Sequence, residues 1–256
     1  MAGNNAEQRN GSALELMVRK LGYRCKLSIA DRAALLALPH VIKQLDSQQY
    51  IVRERDEATH CCMMVSGFSV RHKIVAGGLR QIVAIHMAGE MVDLQNSMLG
   101  YADHSVQMLT RGEVVMIRRE EVDRIASERP AVGKAMWIDT LVDGSIFREW
   151  IANVGRRDAR TRIAHLFCEF GLRLQHAGLA QQTGYELPMT QEQLGDATGL
   201  TSVHVNRTIK ALEADGLIGP RSSPRSINIG DWKRLAAVGD FDSGYLHMKQ
   251  DDPVLH

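Results

Sequence analysis

The chain has 256 residues, 45% of them hydrophobic and 24% charged, which is the composition of folded globular domains and excludes collagen-like, disordered and disulfide-stapled classes. Thirty-one Lys and Arg stand against 30 Asp and Glu, so no bulk positive field draws nucleic acid and any such binding needs a local patch. No apolar run approaches the ~20 residues that span a bilayer, and the start MAGNNAEQRN lacks a secretory apolar core, so a cytoplasmic protein with no membrane partner is expected.

Residues 1–24 read as an N-terminal arm. Ser28-x-x-Asp31 has capping-box spacing ahead of Ala33, Leu35, Leu36 and Leu38, and Pro39 stops the short helix it opens. From about Val41 to Ile117 come short β-branched or apolar runs cut by Gly, Asp and Asn: Tyr50 to Val52, Cys61 to Val65, Phe68 to Lys73, Gln81 to His86, Val106 to Leu109 and Val114 to Ile117. Ala76-Gly77-Gly78 reads as a hairpin turn, because Gly accepts positive φ. Many short strands with Gly turns predict a sandwich, barrel or jelly roll, bounded here as 25–118. Cys25, Cys61, Cys62 and Cys168 form neither a disulfide framework nor a CxxC pattern, so reduced thiols, no metal and no cofactor are expected.

After Arg118 the helical period takes over, with Glu120, Glu121 and Asp123 suited to the positive end of a helix dipole. One long apolar helix is predicted from Pro130 to Val154. Its apolar residues occupy more than one face, too many to cover a single core, which implies a second partner surface. Trp137, Ile138, Leu141, Val142, Ile146 and Ile151 are the expected homodimer seam within 119–155, and a helix sandwiched inside one monomer is the alternative. Arg156, Arg157, Arg160 and Arg162 form a basic knot, after which Ile163, Leu166, Phe167, Phe170 and Leu174 recur at helical spacing. His176 to Pro188, rich in Gly and Gln, reads as a loop.

The next passage carries the chemistry. Thr190-x-x-Gln193 opens a helix with Leu194 and Ala197 on one face before Gly199 breaks it. Thr201 then caps a second helix in which Val205, Ile209 and Leu212 point inward while Ser202, Val203, Asn206, Arg207 and Lys210 point away. This is helix-turn-helix grammar, and the outward residues suit base edges: Arg for guanine, Asn for adenine, an exposed Val for a thymine methyl. Gly219 to Arg225 leads into Ser226 to Ile229 as a β-hairpin wing whose arginines, Arg221 among them, would touch phosphate. Residues 201–234 hold six Lys and Arg against three Asp and Glu, so the patch lies where the motif needs it. An amphipathic hairpin that binds no nucleic acid is the bland alternative.

The segment LPMTQEQLGDATGLTSVHVNRTIKALEADGLI, followed by INIGDWKRLAAVGDFD, resembles the Crp/Fnr (cyclic AMP receptor and fumarate/nitrate regulator) superfamily of bacterial transcription regulators. The resemblance spans nearly the whole chain and is weaker across the strand-rich half. It implies an α+β protein with an N-terminal jelly-roll sensor, a long dimerisation helix, a winged helix-turn-helix over 156–236 and a C-terminal tail over 237–256. The expected DNA-binding set is Thr190, Gln191, Thr201, Ser202, Val203, His204, Asn206, Arg207, Lys210 and Arg221, with base reading on Ser202, Val203 and Arg207. The implied partners are double-stranded DNA, a second copy of the chain, RNA polymerase and a small-molecule effector.

Cyclic AMP binders of the family carry a Gly-Glu and a later Arg-Ser that holds the cyclic phosphate. Here Gly89-Glu90 matches the first and His104-Ser105 stands at the second, so the effector pocket keeps those four residues without the phosphate-pairing Arg, and the effector is expected not to be cyclic AMP. The lone Cys25 does not match the clustered ligands of the iron-sulfur branch. His60, Cys61 and Cys62 could ligate a soft metal, but neighbours on a strand face opposite ways, which favours core residues. The competing class is a ligand- or metal-binding jelly-roll enzyme with a non-functional helical tail, although no Ser-His-Asp context, P-loop or Rossmann fingerprint is present.

Overall fold

The computed structural model describes residues 2–180, 184–220 and 222–248. The strand-rich stretch forms β1 (His40–Leu45), β2 (Tyr50–Val52), β3 (His60–Met64), β4 (Ser69–Ile74), β5 (Arg80–His86), β6 (Ser105–Met108) and β7 (Gly112–Arg118). These make two sheets, ordered β1-β7-β3 and β2-β6-β4-β5, and the chain crosses between them repeatedly, as in a jelly roll. The ladders β1–β7, β3–β7, β2–β6 and β4–β6 are antiparallel. The predicted turn is present, with Gly77 and Gly78 both at positive φ (88° and 78°).

β3 is buried on both faces, which explains its unbroken apolar run Cys61-Cys62-Met63-Met64. Cys62 and Met64 face Val92, Val106, Met108 and Val114 inside the roll. Cys61 and Met63 face outward, into a layer of helices. That layer comprises α1 (Ala2–Arg24), α2 (Ile29–Leu36), α3 (Arg119–Glu128) and the start of α4 (Pro130–Arg156). The arm expected at 1–24 is instead a helix over 2–24 whose residues from Ala13 on belong to the core. Its Ala13, Leu14, Met17, Val18 and Leu21 make one stripe against Leu35, Val122, Ile125, Val132 and Met136. Arg24 pairs with Asp139 of α4 at 2.8 Å, and Lys20 reaches Glu90 at 3.6 Å. The capping box of α2 forms as expected, with Ser28 and Asp31 bonded reciprocally.

The chain divides into two compact units within α4 rather than at its end: residues up to Lys73 with Ala84–Asp143, and Ile74–Val83 with the chain from Gly144. In the second unit α5 (Ala159–His176) is buried from Ile163 through Leu174. At its centre the two Glu169 oxygens share the single Trp150 Nε1–H (3.1 and 3.0 Å) and also accept from Arg173 (3.0 Å) and the Tyr245 hydroxyl (2.8 Å). Tyr245 lies in the segment read as a tail. Instead of trailing, that segment runs on from the end of α8 (Trp232–Val238) into a 3₁₀ turn at Ser243–Leu246 with Leu246 buried, because His165 and Glu169 supply polar partners for it. The basic knot is a set of joints: Arg157 pairs with Glu149 and Asp240, Arg160 with Asp215, and Arg162 donates to the Thr198 carbonyl.

The predicted loop at His176 to Pro188 contains a short strand, β8 (Gly184–Glu186), paired with β9 (Ser226–Asn228). Side-chain anchorage sets it. Tyr185 donates to the Phe167 carbonyl at 2.6 Å and lies so close to Gly171 of α5 that a Cβ there would meet its ring at 2.7 Å.

If α1 is core rather than arm, Leu14→Ala leaves a cavity and costs about 2 to 5 kcal/mol in urea unfolding. A loss under about 0.5 kcal/mol, the scale of an exposed position, would restore the arm reading.

Candidate nucleic-acid interface and sensor pocket

Two short helices, α6 (Gln191–Thr198) and α7 (Ser202–Ala214), form the candidate interface. Thr190 and Gln193 make the expected capping box, with Thr190 Oγ1 accepting the Gln193 N–H at 3.2 Å and Gln193 Oε1 the Thr190 N–H at 2.8 Å. Gly199 ends α6 in the left-handed region (φ 68°), and its neighbour Leu200 donates to the Gly195 carbonyl. Thr201 Oγ1 then accepts the His204 N–H at 3.3 Å and starts α7 at a new angle.

On α7 the expected division is present: Val205, Ile209 and Leu212 are fully buried, joined by Thr208. Ser202, Val203, His204, Arg207 and Lys210 are exposed, and Val203 is 68% accessible although apolar. Asn206 differs from expectation. It is half-buried and accepts from Gln191 Nε2 at 3.4 Å, tying α7 to α6. Beside α7 runs a groove lined by Gln191, Lys210, Glu213, Pro220, Ser222 and Pro224. The wing is closed by β8–β9 and an Ile218–Ile229 bridge, with Arg225 exposed; Arg221 lies outside the described residues.

α4 presents Trp137, Leu141 and Ile151 at 67%, 58% and 72% exposure. Ile138 and Ile146 are half-buried. Val142 was expected in the seam, but it is buried within its own chain, as is Trp150, because the opposite face of α4 already carries core packing.

In the sensor roll Gly89 takes φ 88°, and Glu90 Oε2 accepts the Met87 N–H at 3.2 Å. Ser105 Oγ is engaged by the Glu54 N–H at 3.0 Å. His104 is buried, with Nδ1 on Asp103 at 2.5 Å, and desolvation with the nearby Arg71 charge lowers its pKa to about 4. The residue that the sequence left unremarked is Arg71 of β4, which bonds Asp143 of α4 at 2.7 Å and the Val92 carbonyl at 2.6 Å. Its signal was a guanidinium within the strand Ser69-Val70-Arg71-His72. Cys61 and Cys62 point into different core clusters, and burial pushes both thiols up, so neither supplies a ready thiolate.

Residues 161–238 match the Crp-like helix-turn-helix domain family, and residues 42–129 match the cyclic nucleotide-binding domain family. The chain is 25% identical over 226 residues to the transcriptional activator protein FnrL of Cereibacter sphaeroides, covering 87% of this chain and 90% of the relative. It is 26% identical over 193 residues to the nitrogen fixation regulation protein FixK of Bradyrhizobium diazoefficiens, covering 75% and 80%. The fold resembles that of FixK2 from Bradyrhizobium japonicum with a TM-score of 0.73 at 24% identity, over 78% of this chain and 98% of that one. No helix among the described residues is long and apolar enough to cross a membrane.

Asp93 lies fully buried behind β3, where Oδ1 accepts the Cys62 N–H at 2.6 Å and burial raises the carboxyl to about 7. With a folded value above the ordinary 3.8, the folded chain keeps a proton that the unfolded chain has released. The linked stability is complete below about pH 4 and is lost as pH rises through about 7. Asp93→Asn, which keeps an acceptor, is expected to flatten that stretch of a urea-midpoint profile, and an unaltered slope would refute the raised value.

Proposed function

The chain belongs to the Crp/Fnr superfamily of bacterial transcription regulators, and on that premise we propose how its residues divide the work of a DNA-binding regulator. Two copies associate along the exposed stripe of α4, where Trp137, Leu141, Gly144, Arg148 and Ile151 follow one another at spacings of four and three. The twofold axis then offers two α7 helices to successive major grooves about 34 Å apart on a near-palindromic operator.

The observation that carries this reading is the two-sided character of α7. Three fully buried aliphatics hold it to its own domain, while Ser202, Val203 and Arg207 stand clear of the protein surface. Arg207 suits bidentate bonding to guanine O6 and N7, Val203 a thymine methyl, and Ser202 either base edge or phosphate. Thr190, Gln191, Thr201, His204 and Lys210 surround them as phosphate and sugar contacts, and Arg221 is assigned the same role from the sequence. Asn206 serves as a strut that fixes α7 on α6 rather than as an adenine reader. RNA polymerase and a small effector are further partners in this reading, and the protein acts in the cytoplasm. His104 at the phosphate-pairing position argues against cyclic AMP, since it is neutral near pH 7.

An operator selected from a randomised duplex pool supplies the test. Arg207→Ala is expected to lose about 1 to 3 kcal/mol on that operator and to relax the base preference at one position per half-site. Equal weakening on operator and random duplex would remove Arg207 as a base reader. Leu141→Lys is expected to convert the protein to monomer in sedimentation velocity and to abolish tight operator binding. A dimeric Leu141→Lys protein would place the seam elsewhere.

A further inference from the structure

Three side chains of the second unit form a line with more acceptors than donors. His165 of α5 is buried, with Nδ1 3.0 Å from the Gly239 carbonyl and Nε2 3.1 Å from the Tyr245 hydroxyl, and that hydroxyl lies 2.8 Å from Glu169 Oε2. A carbonyl only accepts, so Nδ1 carries the proton of a neutral imidazole and Nε2 is left as an acceptor. Tyr245 has a single proton, which it gives to Glu169, so Nε2 and the phenol oxygen face each other as two acceptors. Turning the hydroxyl toward Nε2 only moves the shortfall to the Glu169 contact. The surrounding charges are short by one proton as well. Glu149 of α4 lies 3.7 Å from Nε2, and among the described residues Glu149, Glu169 and Asp240 pair here with two guanidiniums, those of Arg157 and Arg173. Phe241 meets the imidazole edge-on and adds no charge.

One added proton completes the line. Nδ1–H then serves the Gly239 carbonyl, Nε2–H the phenol oxygen and the phenol O–H Glu169, and three carboxylates meet three cations. We propose that His165, Tyr245 and Glu169 hold this proton as a unit, and that it fastens the Ser243–Leu246 turn to α5 and thereby steadies α7 for operator reading. Burial lowers the His165 pKa, as does the Arg157 charge, while Glu169, the Gly239 carbonyl and Glu149 oppose the fall. The proton therefore belongs to the line rather than to the imidazole by itself. An unfolded chain, in which imidazole and carboxylate titrate separately, has released it above about pH 6.5. The folded chain keeps it, so the stability it contributes is complete below about pH 6.5 and is lost as pH rises through the value of the unit. The inference rests on the regulator reading for its purpose, because α7 packs on α5.

Urea unfolding and operator binding of the full chain from about pH 6 to about pH 9 test this, with Tyr245→Phe and His165→Gln beside the unaltered protein. Tyr245→Phe removes the phenol oxygen, so its line no longer calls for the proton. The ratio of its unfolding constant to that of the unaltered protein is expected to shrink by up to about tenfold per pH unit once the proton leaves, and titrations elsewhere, Asp93 among them, cancel from that ratio. His165→Gln offers Tyr245 a donor at every pH. Its operator affinity is expected to hold level over the range in which that of the unaltered protein falls by about fivefold or more. A ratio that stays constant or grows with pH, as a neutral imidazole gives, overturns the shared proton. Should Tyr245→Phe fail to fold, His165→Gln decides alone: an operator affinity that falls in step with that of the unaltered protein overturns the proposal. Operator binding by the unaltered protein at about pH 6 reports separately on the regulator reading, which survives a flat pH profile and does not survive absence of binding there.

Discussion

A carboxylate enclosed in protein is tolerated only where donors replace the water it has lost, and Glu169 is enclosed almost completely. Its oxygens take hydrogen bonds from Trp150 at the end of α4, from Arg173 one turn along α5, and from Tyr245 in the C-terminal turn. Moving any of the three would leave a buried carboxylate oxygen short of a donor, so the set holds α4, α5 and the turn at Ser243–Leu246 in one arrangement. α7 and α8 both pack on α5. The aim of α7 therefore descends from this polar knot as well as from the aliphatic packing beneath it.

The sensor unit solves a different problem. Its β1-β7-β3 sheet is covered on both faces, by the second sheet inside and by α1 to α4 outside, so its strands tolerate continuous apolar sequence. The other sheet buries Arg71 on its inner face, opposite Val106, and His86 at the end of β5. One side of the roll is thus inert filling and the other is chemistry. Arg71–Asp143 is the bond that joins that chemistry to α4.

α4 serves both purposes because its surface is partitioned. Val132, Ala135, Met136, Val142 and Trp150 face its own chain, and Trp137, Leu141 and Ile151 do not. A helix that is apolar on several sides cannot be apportioned by periodicity alone, which is why Val142 read as seam and proved to be core.

Local chemistry was decisive wherever a few neighbouring residues suffice. The capping boxes at Ser28 and Thr190, the Gly77-Gly78 turn, the left-handed Gly199 and the inward face of α7 are all contained in short stretches of sequence, and each formed as the residues dictate. Tertiary structure decided what depends on a distant partner. The α1 stripe could be weighed only once α2, α3 and α4 were beside it, β8 exists because Tyr185 finds Gly171 and Phe167, and the parity that turns Arg71 inward follows from its register with β6. The reason is physical: caps and turns are settled by bonds within about four residues, whereas burial of a polar group or an isolated strand is settled by free energy exchanged with groups far along the chain.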